Sequence, residues 1–248
     1  EIKCSLVGSE MCIRDRLEPV SFSAYQGEIL GLSGQLGSGA GEVLASIAGA
    51  LKSRSGSLTL NGETFLPKSP SQAIKKKIAY CSSDRKKDGL FLGRPIFENL
   101  TSPALDTISK FGFNFGSTED SYAKNLAQEF LIDVKRVYDE SGLLSGGNQQ
   151  KVALGKWLSI KPDVLLVNEP TRGVDVGAKS EIYQRMRELA ARGITIIFAS
   201  TDIQEITYLP DRVITFYRGM MIDEHRLEQI KTPVILKEIT DPFNETNL

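Results

Sequence analysis

Runs of contiguous apolar residues alternate with stretches in which apolar positions recur at helical spacing, and this alternation divides the chain into strands and helices. Glu28-Ile29-Leu30-Gly31-Leu32-Ser33 reads as a buried strand, followed by a glycine-rich turn from Gly34 to Gly41. Glu42 to Ala50 then has helical composition, with Val43, Leu44, Ile47 and Ala48 on one packed face. Ser57 to Gly62 predicts a strand ending in an Asn-Gly turn, paired as a hairpin with Glu63 to Leu66. Ser69-Pro70 reads as a helix start, with a Ser cap and a Pro in the first turn. Ile78 to Cys81 reads as a short strand.

From Pro95 to Gly142 the pattern changes. Helical segments dominate, such as Ser121 to Leu131 with apolar Tyr122, Leu126 and Phe130, and residues 95–142 are expected to form a helical subdomain. Strands and helices then alternate again: a strand at Val164 to Val167, a helix from Ala178 to Ala191, a strand at Thr195 to Phe198 and a short helix near Ile203. Such alternation predicts an α/β fold with a largely parallel sheet covered by helices. Arg212 to Tyr217 and Met220 to Asp223, joined by Arg218-Gly219, read as a closing hairpin. His225, the one histidine of the chain, is expected to be solvated in the terminal segment.

Composition narrows the function classes. A net charge of −1 gives no basic field to attract nucleic acid or an anionic membrane. No apolar run approaches the roughly 18–20 residues that span a bilayer. Cys4, Cys12 and Cys81 are scattered without metal-ligand spacing, which suits a reducing cytoplasm. The chain opens on Glu1 rather than Met, as a fragment would. Met11-Cys12-Ile13-Arg14-Asp15-Arg16 back-translates as ATG-TGT-ATA-AGA-GAC-AG, which resembles a transposon-end sequencing adapter. Residues 5–16 are therefore expected to be an artefact and carry no functional weight, which leaves 17–248 as the domain.

Three motifs carry chemistry. The first is Gly34-Gln35-Leu36-Gly37-Ser38-Gly39-Ala40-Gly41. Phosphate loops run Gly, four residues, Gly, Lys, Ser or Thr; their backbone N–H groups cradle an anion at a helix N-terminus. Here the glycines are in register, but Ala40 takes the Lys position and Gly41 the metal-holding hydroxyl position. The cradle of Gly34, Gly37, Ser38, Gly39, Ala40 and Gly41 stays without its point charge and metal ligand. The second motif is Leu144-Ser145-Gly146-Gly147-Asn148-Gln149-Gln150-Lys151, leading into a helical run to about Leu158. Ser145 can cap that helix, and Gly146 and Gly147 can expose backbone donors at its positive end. The third is Val164-Leu165-Leu166-Val167-Asn168-Glu169-Pro170-Thr171, an apolar strand ending in Asn168 and Glu169. Glu169 could polarise an attacking water.

Together these motifs resemble the nucleotide-binding domain of ATP-binding cassette (ABC) transporters, in family order from Leu17 onward. Leu144 to Lys151 is then the signature and Val164 to Asn168 the Walker B strand. The resemblance implies a P-loop NTPase-like α/β fold: a mainly parallel core sheet (17–94 and 143–248), a small antiparallel part and the inserted helical subdomain. The family's Walker B Asp falls at Asn168, its catalytic Glu at Glu169, its γ-phosphate-sensing Gln at Ser83 and its switch His at Thr201. Val174 and Asp175 match the D-loop, and the aromatic that stacks on adenine should precede Leu17. Ser83 to Leu90, Leu144 to Lys151 and Glu169 to Ala178 resemble the second cassette of simple-sugar importers (ribose, galactose or xylose type), where Arg-Thr-Glu commonly stands at Ala40-Gly41-Glu42. Arg85 to Lys87 is either a solvated loop or, as in the family, lies near the surface facing the membrane subunit.

The resemblance implies ATP and Mg²⁺ as cofactors, used mainly at a partner cassette's site. It also implies a sister cassette N-terminal in the same full-length chain, transmembrane permease subunits, a periplasmic or extracellular sugar-binding protein, and a place on the cytoplasmic face of the membrane. It names no nucleic acid, and no metal ligand is retained. A non-catalytic structural cassette, or an importer of nucleosides or another small polar solute, is the alternative expectation.

Overall fold

The computed structural model describes residues 1–9, 18–105, 109–110, 113–114 and 116–244. They form two compact units. The first comprises Glu1–Tyr80, Asp163–Glu169 and Arg187–Leu248, and the second Cys81–Pro162 and Pro170–Met186.

In the first unit, strand β1 (Ile2–Ser9) lies between β2 (Val20–Ala24) and β4 (Ser53–Leu60), and β5 (Glu63–Phe65) completes an antiparallel sheet. β4 and β5 are joined where the Asn-Gly turn was expected. Asn61 (φ 52°) and Gly62 (φ 84°) both take positive φ, as a hairpin turn that matches strand twist requires. Ser5 to Ser9 continue β1 opposite β4, with Ser5 facing Ser57 and Ser9 facing Ser53. The remainder of the segment expected to be an artefact, from Glu10 to Arg16, lies outside the described residues.

The larger sheet has the order β10-β9-β3-β8-β7-β6, where β3 is Ile29–Gly34, β6 Ile78–Cys81, β7 Val164–Asn168, β8 Thr195–Ser200, β9 Arg212–Tyr217 and β10 Met220–Arg226. β3 runs parallel to β8 and β9, β8 runs parallel to β7, and β10 is antiparallel to β9. All six residues of both β3 and β8 are buried. A strand covered on both faces is apolar over most of its length, which is why these read as near-continuous runs rather than alternations, with buried Ser33, Thr195 and Ser200 at their ends. Helix α1 (Ala40–Ile47) buries Val43, Leu44 and Ile47 in one cluster with Leu30, Leu32, Val164, Leu166, Ile197 and Ala199. Helix α2 (Pro70–Lys75) starts as its sequence predicts: the Ser69 hydroxyl accepts from the Gln72 N–H, and Pro70 occupies the first position.

His225 corrects an expectation. It is buried, not solvated. β10 runs on to Arg226, three residues past the expected end of the hairpin. Beyond the short helix α7 (Ile203–Tyr208), a helix unseen in the sequence pattern, α8 (Thr232–Thr240), buries Ile235 and Ile239. His225 Nε2 lies 2.8 and 3.0 Å from the two carboxylate oxygens of Glu238 on that helix. Hydrogen bonding to a carboxylate lets a polar ring be buried without an unmet group.

The second unit takes in the helical stretch 95–142 and with it the signature helix. It contains α3 (Ile96–Thr101), α4 (Gly116–Glu129), α5 (Gly146–Leu158) and α6 (Val176–Ala191), the last turn of α6 belonging to the first unit. Ala123, Leu126, Ala127 and Phe130 are buried at the spacing of one helical face. Buried Asn99 ties the loops together: its carbonyl oxygen accepts from the Phe91 N–H at 2.8 Å, and its amide donates to the Phe91 carbonyl and the Ser141 hydroxyl at 3.0 Å.

Candidate functional site

The phosphate-loop residues all stand in the first unit, between β3 and α1. Gly37 (φ 78°) and Gly39 (φ 105°) adopt the left-handed conformation, and Gly39 caps α1 without a side chain. Ser38 is buried, accepts from the Gly219 N–H through its carbonyl at 2.8 Å, and packs so closely on Gly34 that a Cβ there would sit 2.7 Å from its own Cβ. The turn is thus held by backbone contacts that only glycine allows, and its helix N-terminus favours an anion.

The structure brings Gly41 and Asn168 together. A Cβ on Gly41 would lie 2.9 Å from the Asn168 Nδ2 and 3.3 Å from its Oδ1. The two positions that would hold a metal in the family therefore face each other as a bare backbone and a neutral amide. Hard divalent cations such as Mg²⁺ are held by carboxylate and other oxygen donors. Ala40, Gly41 and Asn168 supply no anion and no hydroxyl, so this donor set does not fit Mg²⁺. Glu169 is in the left-handed region (φ 56°), uncommon for a residue with a side chain. It is pinned at the end of β8 twice over. Its N–H donates to the Ala199 carbonyl at 2.8 Å, and its Oε1 accepts from the Thr201 N–H at 2.9 Å. Glu169 and the Thr201 position thus meet directly.

The signature residues, Ser83, Val174 and Asp175 stand in the second unit. Ser145 caps α5, its hydroxyl accepting from the Asn148 N–H at 3.4 Å. Ser145 is exposed, Leu144 and Gly147 are buried, and Gly146 and Asn148 are half-buried. A Cβ on Gly146 would lie 2.6 Å from the Gly173 carbonyl oxygen, and one on Gly147 would lie 2.6 Å from the Ala178 Cβ and 3.6 Å from a Val174 methyl. The signature glycines are therefore packed on the 173–178 segment. Asp175 is anchored by its Oδ1, which accepts from the Ala178 N–H at 3.0 Å near the start of α6. Lys151 ion-pairs with Glu181 of α6. Gln149 is buried and its amide donates to the Ser141 carbonyl at 3.3 Å.

Sequence reasoning gave no role to Arg85, whose guanidinium lies against the signature. It bonds to Arg172, Gly173 and Gln149. The neighbouring Lys86 and Lys87 are exposed, so the basic run is not one solvated patch. No sequence signal separates Arg85 from them, because its partners are backbone carbonyls far along the chain. Ser83 is half-buried, just after β6. The stretch directly before Leu17, where the adenine-stacking aromatic was expected, lies outside the described residues. Among the described residues one group could ligate a metal, Asp223, His225 and Glu238, and it shares no residue with the phosphate loop. Among them also, no helix is long and apolar enough to cross a membrane.

Residues 17–172 match the family model described as ABC transporter. The chain is 44% identical over 216 residues to the ribose import ATP-binding protein RbsA of Streptococcus agalactiae serotype III, covering 87% of this chain and 44% of that protein. It is 45% identical over 202 residues to the protein of the same name from Lactococcus lactis subsp. lactis, covering 81% and 41%. The chain thus spans less than half the length of these curated relatives. Its fold is similar to that of a nucleotide-free ATP-binding cassette from an ABC transporter (TM-score 0.79, 21% identity, 97% of this chain and 95% of the other). It is equally similar to a cassette in a dimeric post-hydrolysis state bound to ADP and Pi (TM-score 0.79, 20% identity, 92% and 99%).

Proposed function

The chain belongs to the ABC transporter family as an ATP-binding cassette, and from that premise we propose that it works by completing an ATP site held by another cassette. One contrast carries the reading: the signature is furnished, while Gly41 and Asn168 offer a metal neither a hydroxyl nor a carboxylate. The Ser145 hydroxyl accepts from the Asn148 N–H. A hydroxyl can accept and donate at once, so its own hydrogen is available to a phosphate oxygen. Gly146 and Gly147 add backbone donors at the positive end of α5. The residues at the chain's own pocket lack the Lys, the Ser/Thr hydroxyl and the Walker B charge. Charged hydrogen bonds contribute about 1.5–3 kcal/mol each. Three such losses, even with imperfect additivity, weaken Mg-nucleotide binding by orders of magnitude. Glu169 is then idle as a base.

On this reading the sister cassette holds ATP and Mg²⁺ and supplies the Lys and His that this chain lacks. Hydrolysis there closes and reopens the cassette pair, and the pair drives permease subunits between outward and inward states at the cytoplasmic face of the membrane. The names of the curated relatives favour ribose or a similar monosaccharide as the solute, delivered by a sugar-binding protein. The test is Ser145→Arg in the full-length protein assembled with its permease. Loss of at least about 100-fold in transport-coupled ATPase is expected, because a bulky cation replaces a positioned hydroxyl in the site. Unchanged ATPase refutes the role. Lys-independent ATPase activity of the isolated domain, abolished by Glu169→Gln, would contradict the idle pocket.

A further inference from the structure

Arg85 sits at a point where three separate stretches of the second unit converge. Its Nη1 donates to the Arg172 carbonyl at 2.6 Å, its Nη2 to the Gly173 carbonyl at 3.4 Å and its Nε to Gln149 Oε1 at 3.4 Å. Gln149 is itself oriented by the Ser141 carbonyl, so Arg85 meets a fixed acceptor. The Nη2 lies 2.9 Å from where a Gly146 Cβ would be, so the guanidinium rests on the first residue of α5. The backbone that carries Arg85 is fixed too: Asp84 Oδ1 accepts from the N–H groups of Lys86 and Lys87 at 3.1 and 3.0 Å. A planar fork can serve three acceptors in different directions, which a lysine ammonium on a flexible stem does less well.

We infer that Arg85 is a positioning residue for the signature. It binds the Gly146 end of α5 to the 172–173 backbone, so that Ser145, Gly146, Val174 and Asp175 are presented to the partner's nucleotide as one piece. The inference rests on the reading that the signature serves a partner's ATP. Arg85 acts through the residues it holds and touches no nucleotide in this proposal. The run from Ser83 to Leu90 thereby gains a specific task for one of its three cations.

The test uses the full-length subunit, alone for hydrogen exchange and assembled with its permease for ATPase. Arg85→Gln is expected to speed amide exchange about 10–100-fold in peptides covering 144–149 and 172–175, the loss of charged hydrogen bonds at a local opening. Lys86→Ala is the control and leaves these peptides unchanged. In the assembled importer Arg85→Gln is expected to lower kcat about 10–100-fold with KM for MgATP little altered, because the groups are present but displaced. Arg85→Lys is expected to rescue neither readout fully, and it carries the same comparison should Arg85→Gln fail to fold. Full activity in Arg85→Lys, or unchanged exchange in Arg85→Gln, overturns the proposal. If Ser145→Arg abolishes ATPase while Arg85→Gln leaves it intact, Arg85 fails alone. If Ser145→Arg has no effect, the underlying reading fails, and the exchange experiment still decides whether Arg85 holds the junction.

Discussion

The phosphate loop and the signature loop are both glycine turns leading into a helix N-terminus, and they have met opposite fates. At the first, α1 starts behind Gly39 with no capping side chain. At the second, Ser145 caps α5, and Gln149 and Lys151 just inside it are bonded to neighbours. The glycines of the first make room for the chain's own side chains, Gly34 for Ser38 and Gly41 for Asn168. Those of the second bring α5 against the 173–178 segment. Glycines in register therefore report how a turn packs, which survives the loss of chemistry. Positions 40, 41 and 168 carry no cation, no hydroxyl and no carboxylate, and there the family's pattern is gone.

The largest expected effect puts equal damage into both loops. Gly147→Ala drives a methyl to 2.6 Å from the Ala178 Cβ, an atom fixed to the α6 backbone. Overpacking of this kind costs about 1–3 kcal/mol and displaces the start of α5. Transport-coupled ATPase of the assembled protein is expected to fall about 100-fold, since small misplacements of positioned groups are costly. Gly37→Ala meets no neighbour within 4 Å but forces a residue with a side chain to φ 78°. That costs about 1–2 kcal/mol of stability by thermal melting and is expected to leave coupled ATPase near the parent level. Equal losses of ATPase from the two substitutions would break the comparison.

Much of this was legible in the chain itself, for physical reasons. Buried parallel strands such as β3 and β8 are apolar over most of their length, so their near-continuous runs stand out. Turn chemistry gave the Asn61-Gly62 hairpin, because both residues tolerate positive φ. What stayed hidden depends on partners distant in sequence. Arg85 bonds to carbonyls 87 and 88 residues away, and a carbonyl carries no residue identity to read. His225 was misplaced because α8, which supplies Glu238, was not foreseen. Gly41 and Asn168 stand 127 residues apart in the chain, and only the fold brings them face to face as one fitted pair.

That fit yields the next prediction. Gly41→Ser alone sets its Cβ 2.9 Å from the Asn168 amide and is expected to destabilise the turn without restoring nucleotide affinity. Ala40→Lys with Gly41→Ser and Asn168→Asp replaces the cation, the hydroxyl and the carboxylate together. Mg-ATP affinity by calorimetry is expected to rise about 10–100-fold over the parent chain, the range of one or two recovered charged hydrogen bonds, and to lose most of that gain when Mg²⁺ is chelated. A parent chain that already binds Mg-ATP as tightly as the triple variant would erase the asymmetry between the two loops.

The smallest effect sharpens the comparison through two thiols, one in each unit. Cys4 on β1 and Cys81 at the end of β6 are both buried. Burial raises the Cys4 thiol from 9.0 to about 12. It raises Cys81 to about 11, the positive charges of Lys156 and Arg85 pulling against it. The thiolate is the species that reacts with iodoacetamide, so a raised value means less reactive form at pH 8, not more. Positive charge beside Cys81 favours its thiolate, whereas burial alone acts on Cys4, so Cys81 is expected to be the faster of the two to react. The rate at each should climb with pH. Peptide mass spectrometry after timed labelling reads both sites in one sample. Equal or faster labelling of Cys4 would overturn this expectation.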